Sequence, residues 1–224
     1  MTRLGMSEQA AVTAAVTKIE EHTSGELVTV LAEHSDGYSD VILVYAAALA
    51  FSAMSLFALF PAPFISLHSA LTGGWTPEWT TGEIASLTIA LGVVTFFLSW
   101  ALLGWDELRY RVVPGPLRTM RVHDAAVRHF KVGAERRTHG RTGVLLYLSL
   151  RERRAEIVAD ETIAEKVDAE VWGAAMADML ARIRQGRAAE GLVAGIEDVG
   201  KVLAEHFPRS DEDRNELPDR LIVL

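Results

Sequence analysis

Two stretches without a charged residue or a histidine, Val41–Phe60 and Ile84–Trp105, interrupt an otherwise charged chain. The first holds ten Val, Ile, Leu or Phe residues and the second eleven. As helices, both are long enough to cross a hydrocarbon core of about 30 Å. On the insertion scale such residues are worth about −0.3 to −0.6 kcal/mol each at the bilayer centre, so both segments favour insertion. Two buried helices of a soluble protein would need apolar partners all round, and the rest of the chain is too short to supply them. Small residues fall at spacings of three and four, Ala46, Ala50 and Ala53 on one segment and Thr88, Gly92, Thr95 and Ser99 on the other. These stripes predict a closely packed helix pair.

Outside these spans the periods change. Val12, Ala15, Val16 and Ile19 form one stripe, so 8–22 reads as an amphipathic helix with Ser7 as its cap. Glu26–Ala32 is apolar on both faces, as a central strand is. Val122, Ala126, Val127 and Phe130 predict a helix over 118–132 after the break at Val112–Pro116. Gly143–Leu150 and Arg154–Asp160 read as two strands of a hairpin, joined by Arg151-Glu152-Arg153. A helical region starts at Thr162–Asp168 and continues with Trp172, Met176, Met179, Leu180 and Ile183 on one face. Leu192, Ile196, Val199 and Leu203 predict a last helix ending before Pro208.

The fold class expected is α/β: a small α/β/α sandwich with a three- or four-stranded sheet, interrupted by a two-helix transmembrane hairpin. Its parts are 1–33, 41–60 (first span), 61–83 (external loop), 84–105 (second span), 118–208 (the rest of the domain) and 209–224 (a charged tail). The loop 61–83 reads as a connector with an interfacial turn around Phe64–Leu71.

Charge sets the expected orientation. Residues 61–83 contain no Lys or Arg, whereas Arg109, Arg111, Arg118, Arg121, Arg128 and Lys131 follow the second span. The positive-inside rule then places both chain ends in the cytoplasm and the loop outside an inner membrane. Trp75, Trp79, Trp100 and Trp105, with Arg109 and Arg111, suit the interfaces. The first 25 residues carry Arg3, Glu8, Lys18, Glu20 and Glu21 without an apolar core, so the first span is expected to be an uncleaved anchor. The absence of an ionisable group within either span disfavours a transport path. A net charge of −8 argues against a nucleic-acid partner. With no cysteine, thiol catalysis and cysteine-ligated zinc are excluded.

Several short motifs carry a family likeness. Thr23-Ser24-Gly25-Glu26 before a strand, Thr142–Leu146, Arg151–Arg154, Ile157–Asp160, Trp172, Gly191-Leu192, Phe207-Pro208 and Asn215–Asp219 together resemble the TPM domain family. The likeness covers about 7–33 and 118–219. It implies an α/β/α sandwich, and for some members a weak acid phosphatase activity and divalent-cation binding. Membrane spans inside the domain depart from the family's usual plan.

No phosphate-binding glycine loop or nucleophile elbow is present. Asp160 ends a strand and is expected to cap the following helix. Glu161, Glu165 and Asp168 follow at helical spacing, which with Asp160 makes a candidate site for Ca²⁺ or Mg²⁺, hard cations suited to carboxylates. Arg136, Arg137, His139 and Arg141 form a basic loop suited to anionic headgroups. The seven histidines do not pair at ligand spacing. The function expected is a non-enzymatic accessory or scaffold protein in the membrane, holding a protein partner. The alternative is a weak divalent-cation-dependent acid phosphatase.

Overall fold

The structure is a computed structural model that describes residues 4–72, 79–133, 142–209 and 220–224. It divides into two units, 1–36 with 115–224, and 37–114.

The first unit begins with α1 (Met6–Glu20) and β1 (Glu26–Ala32) and resumes with α6 (Gly115–Gly133), β2 (Gly143–Ser149) and β3 (Arg154–Ala159). The one-turn α7 (Glu161–Ala164), α8 (Ala169–Arg184), α9 (Ala188–His206) and β4 (Ile222–Val223) complete it. The sheet order is β3-β2-β1-β4. β1 lies parallel to β2, with Glu26 opposite Gly143 and Ala32 opposite Ser149, and parallel to β4 on its other side. β3 returns antiparallel to β2. The expected pairing of Glu26–Ala32 with the strand at 143 is therefore present, although some 110 residues separate them.

β1 is buried at every position, and its period of two feeds two cores. Leu27 and Leu31 pack with Val12 and Val16 of α1, Met179 of α8 and Leu192, Ile196 and Leu203 of α9. Val28, Val30 and Ala32 face Val122, Ala126 and Phe130 of α6. Helices thus cover both faces of the sheet, as the apolar pattern requires. α9 sits between α8 and α1 because it carries glycine at the contacts. A Cβ on Gly195 would meet Met179 Sδ at 2.8 Å, and one on Gly200 would meet Ile19 Cδ1 at 2.5 Å.

The outer edge of β1 is closed in two ways. Ile222 and Val223 pair opposite Val30 and Leu31. Below them, the buried Glu20 carboxylate accepts the Leu27 N–H at 3.1 Å. Covering an edge by a side chain and a two-residue strand removes a template for pairing with another chain.

The second unit contains α2 (Ser39–Leu59), α3 (Pro61–Thr72), α4 (Thr81–Leu103) and α5 (Asp106–Val112). α2 and α4 are long and apolar enough to cross a membrane. Ile42, Ala46, Ala50 and Phe57 are buried on α2 and Gly92 on α4. The seam therefore follows the small-residue stripes. α4 opens with a capping box in which the Thr80 N–H donates to Glu83 Oε2 at 2.8 Å and the Glu83 N–H to Thr80 Oγ1 at 3.3 Å.

Three elements differ from expectation. α3 is a twelve-residue helix where a connector with one turn was expected; its apolar positions lacked a clean period beside Pro61 and Pro63. α5, only seven residues, follows the second span before the Val113-Pro114 break. The tail's apolar end forms β4, a strand too short to leave a pattern. Trp75, the basic loop with Arg136, Arg137, His139 and Arg141, and Asn215–Asp219 lie outside the described residues.

Candidate functional site

In an open α/β sheet, sites gather beyond the carboxyl ends of the parallel strands. Here that edge is formed by the exits of β1 and β2, and by the entry to the antiparallel β3. Ser35 and Asp36 follow β1, and Leu150–Arg153 turn from β2 into β3. Arg153 adopts a left-handed φ of 53°, a conformation that costs a side-chain-bearing residue of the order of 1 kcal/mol.

The turn is held by Glu152, which is buried. Its Oε1 accepts the Ser35 N–H at 2.9 Å and the Asp36 N–H at 3.4 Å, and its Oε2 accepts the Ser149 hydroxyl. Burial of a carboxylate is costly unless hydrogen bonds replace water, and three donors do so here. Beside it, the Tyr147 and Ser35 hydroxyls share a hydrogen bond of 3.1 Å. The His129 ring of α6 stacks on Tyr147, with centroids 5.7 Å apart and planes 18° from parallel. Arg121, also on α6, reaches Asp36 at 3.4 Å.

Electrostatics follow from this packing. Burial raises the Tyr147 phenol, reinforced by the Glu152 charge and opposed by the Ser35 bond and by Arg128. Burial lowers His129, helped by the neighbouring Arg128 charge. A neutral phenol, a neutral imidazole and a hydrogen-bonded carboxylate thus share one sheet edge. The Glu152 oxygens are engaged by the fold's own donors, so the carboxylate clamps the β1 exit to the β2–β3 turn.

The expected carboxylate cluster has a different geometry. Asp160 follows β3, and because β3 runs antiparallel it lies at the opposite edge of the sheet, beside the start of β2. Its side chain accepts the Gly143 N–H at 3.0 Å, and its own N–H donates to Gly143 O at 2.9 Å. Asp160 does hold the N-cap position of α7, where its carbonyl receives the Ile163 and Ala164 N–H groups. Its carboxylate, however, makes no capping bond. The expected side-chain cap is instead a clamp on β2. Glu161, Glu165 and Asp168 are exposed. α7 ends after one turn, with Ile163 and Val167 buried, and Asp168 begins α8. The four carboxylates therefore do not share one helix face. Among the described residues, no three His, Asp or Glu side chains are placed to hold a metal ion.

Of the expected interface residues, Trp79 stands edge-on to His68 at 5.1 Å, and Trp105 is exposed. Arg109 donates to Gly104 O at 2.6 Å and pairs with Asp106 at 3.5 Å; Arg111 is exposed. Sequence reasoning passed over Ser35, Tyr147, Ser149 and Glu152. One signal was available: Tyr147 and Ser149 are the polar-tipped residues of an otherwise apolar strand, GVLLYLS.

Comparison with known proteins decides the domain. Residues 117–202 match the TPM domain. The chain carries a TPM domain. The match begins in α6 and ends in α9, and β1 and α1 complete the same unit from before the hairpin. The fold is shared with a solved NMR structure, the BA42 protein from the psychrophilic bacterium Bizionia argentinensis. The two superpose with a TM-score of 0.56 at 19% identity, covering 100% of this chain and 97% of that one. No curated protein matches by sequence.

Proposed function

We propose that this protein is a membrane-anchored accessory module in which the TPM domain serves binding, not catalysis. The observation carrying the anchor is the surface of α2 and α4. Leu43, Val44, Leu49, Phe51 and Leu56 on one, and Ile89, Val93, Val94, Phe97 and Leu98 on the other, are each about half exposed or more. Water would penalise that much apolar surface, and a bilayer would not. The same reading has two spans in a cell inner membrane, with α3 outside and the TPM domain in the cytoplasm. The bias of Lys and Arg toward the residues after the second span supports it. Engagement of the Glu152 and Asp160 carboxylates by backbone N–H groups supports a structural use of the two buried acids, and so a domain that holds a protein partner.

Reporter fusions test the topology. An exported-enzyme reporter should be active when joined after residue 75 and inactive at residue 224; activity at 224 overturns the orientation. The purified protein should show no turnover of an aryl phosphate with or without Mg²⁺. Turnover abolished by Glu152→Gln or Asp160→Asn would make phosphatase chemistry the better reading.

A further inference from the structure

The second unit holds a cavity of about 650 Å³ between α3 and the first turns of α4. Its polar end is formed by His68, Trp79, Thr80 and Glu83, and its apolar end by Leu87 and Ala90. Glu83 and Ala90 are seven residues apart on one helix, so the cavity runs about 10 Å along the axis. That volume lies within the range of small-molecule sites.

Two atoms at the polar end have no hydrogen-bond partner among the described residues. The Trp79 indole Nε1–H is buried without an acceptor. On Glu83, the bonds from the Thr80 N–H and hydroxyl both fall on Oε2. One end of the cavity therefore presents a donor without an acceptor and a carboxylate with an oxygen to spare. At the edge of a hydrocarbon layer the buried indole N–H is costly without an acceptor, and the exposed Glu83 carboxylate stands at the rim with a face open to a ligand.

We propose that this cavity is a binding site for a phospholipid whose headgroup carries a primary ammonium. This deepens the membrane reading and rests on it. The ammonium donates to Glu83 Oε1, a phosphate or ester oxygen accepts from Trp79 Nε1, and the first methylenes of an acyl chain lie against Leu87 and Ala90. Headgroup chemistry discriminates. A quaternary ammonium has no N–H to give Glu83, and a glycerol headgroup sets an uncompensated phosphate charge near the carboxylate.

Native mass spectrometry of the full chain in mild detergent tests the site. The probes are an equimolar mixture of ethanolamine, choline and glycerol phospholipids with identical acyl chains. The wild type should retain the ethanolamine lipid on the order of ten-fold over the others, the worth of one charge-assisted bond. Glu83→Gln should remove the preference. Trp79→Phe should weaken retention of all three lipids alike. Ala90→Leu, which leaves the Thr80–Glu83 cap untouched, should reduce retention by filling the apolar end. Equal retention of the three lipids by the wild type, or a preference that survives Glu83→Gln, overturns the site. Alkaline carbonate extraction separates the two levels. Release of the chain from membranes sinks the anchor and the site together, whereas an anchored chain without headgroup preference sinks the site alone.

Discussion

α9 and α4 are similar in length, 19 and 23 residues, yet they use apolar residues in opposite ways. α9 buries Leu192, Ile196, Val199 and Leu203 along one stripe and leaves Glu190, Glu197 and Lys201 to water. α4 is apolar all round and buries only Gly92 fully, with Val93, Val94, Phe97 and Leu98 outward. An amphipathic helix carries its own instruction about which side faces the core, because water and core lie on opposite sides. A helix that is apolar all round carries only the position of its small residues. The first unit is thus a fold built against water, whereas the outward surface of the hairpin is one that the proposed bilayer would favour.

The largest test of that contrast cuts the first unit. Residues 115–224 alone lack β1, whose buried Leu27, Val28, Val30 and Leu31 together contribute about 6–12 kcal/mol. A typical domain has about 5–15 kcal/mol in all. The fragment should fail to show a cooperative thermal transition. Residues 1–36 joined to 115–224 by a short Gly/Ser linker should be soluble and melt cooperatively, since Asp36 already pairs with Arg121 of α6. Cooperative folding of the shorter fragment would break the idea of a domain completed from before the hairpin.

A second test asks which solvent α4 meets. Val94 is 62% exposed near the middle of the helix. In water, Val94→Arg should change stability by no more than about 0.5 kcal/mol. In a bilayer the same change costs about 2.5–3.5 kcal/mol on the insertion scale. The expected outcome is a sharp fall in the carbonate-resistant fraction of full-length protein. An unchanged fraction would place the α4 surface against something other than lipid.

The third test weighs the clamp at the carboxyl edge. Glu152→Gln keeps an acceptor for the Ser35 and Asp36 N–H groups but removes the charge that strengthens the bonds. A loss of about 1–2 kcal/mol is expected. Hydrogen exchange should report it first at the Ser35 and Asp36 amides, with the centre of β2 less affected. Uniform acceleration across the sheet would mean that Glu152 supports the whole core and not the loop.

The periods of the chain carried most of the architecture. β1 read as a central strand because it is apolar on both faces, and both cores draw on it. The hairpin seam was legible because small residues recur at helical spacing on each helix, Ala46 and Ala50 on α2 and Thr88, Gly92, Thr95 and Ser99 on α4. The site was far less legible, for a physical reason. Glu152 lies in a turn that reads as solvated, and only tertiary structure, bringing Ser35 across 117 residues, makes it a buried acceptor. Asp160 shows the converse. Its N-cap position was readable from the helix that follows, but β3 turns antiparallel and hands the carboxylate to Gly143. A spacing of four and three suggested a helical carboxylate face, and the demand of Ile163 and Val167 for the core ended that helix after one turn.

The smallest expected effect concerns pH and the α6 face of the sheet. His129 stacks on Tyr147, with Arg128 beside it, and its pKa in the folded protein is lowered by burial and then by that charge. The unfolded chain therefore takes up this proton first as pH falls below about 6.5. Stability from the neutral ring is fully present above that value, declines as pH falls through the lower folded pKa, and is level below it. Protection of the Tyr147 and Leu148 amides in the full chain, corrected for intrinsic exchange, should be greater at pH 7.5 than at pH 5. The difference should shrink in His129→Gln, which keeps a polar side chain on α6 but cannot titrate. The comparison between the two proteins is the decisive quantity. An identical pH dependence in wild type and variant would mean that the stacked imidazole carries no charge penalty, and that the sheet edge is no more sensitive to acid than the rest of the domain.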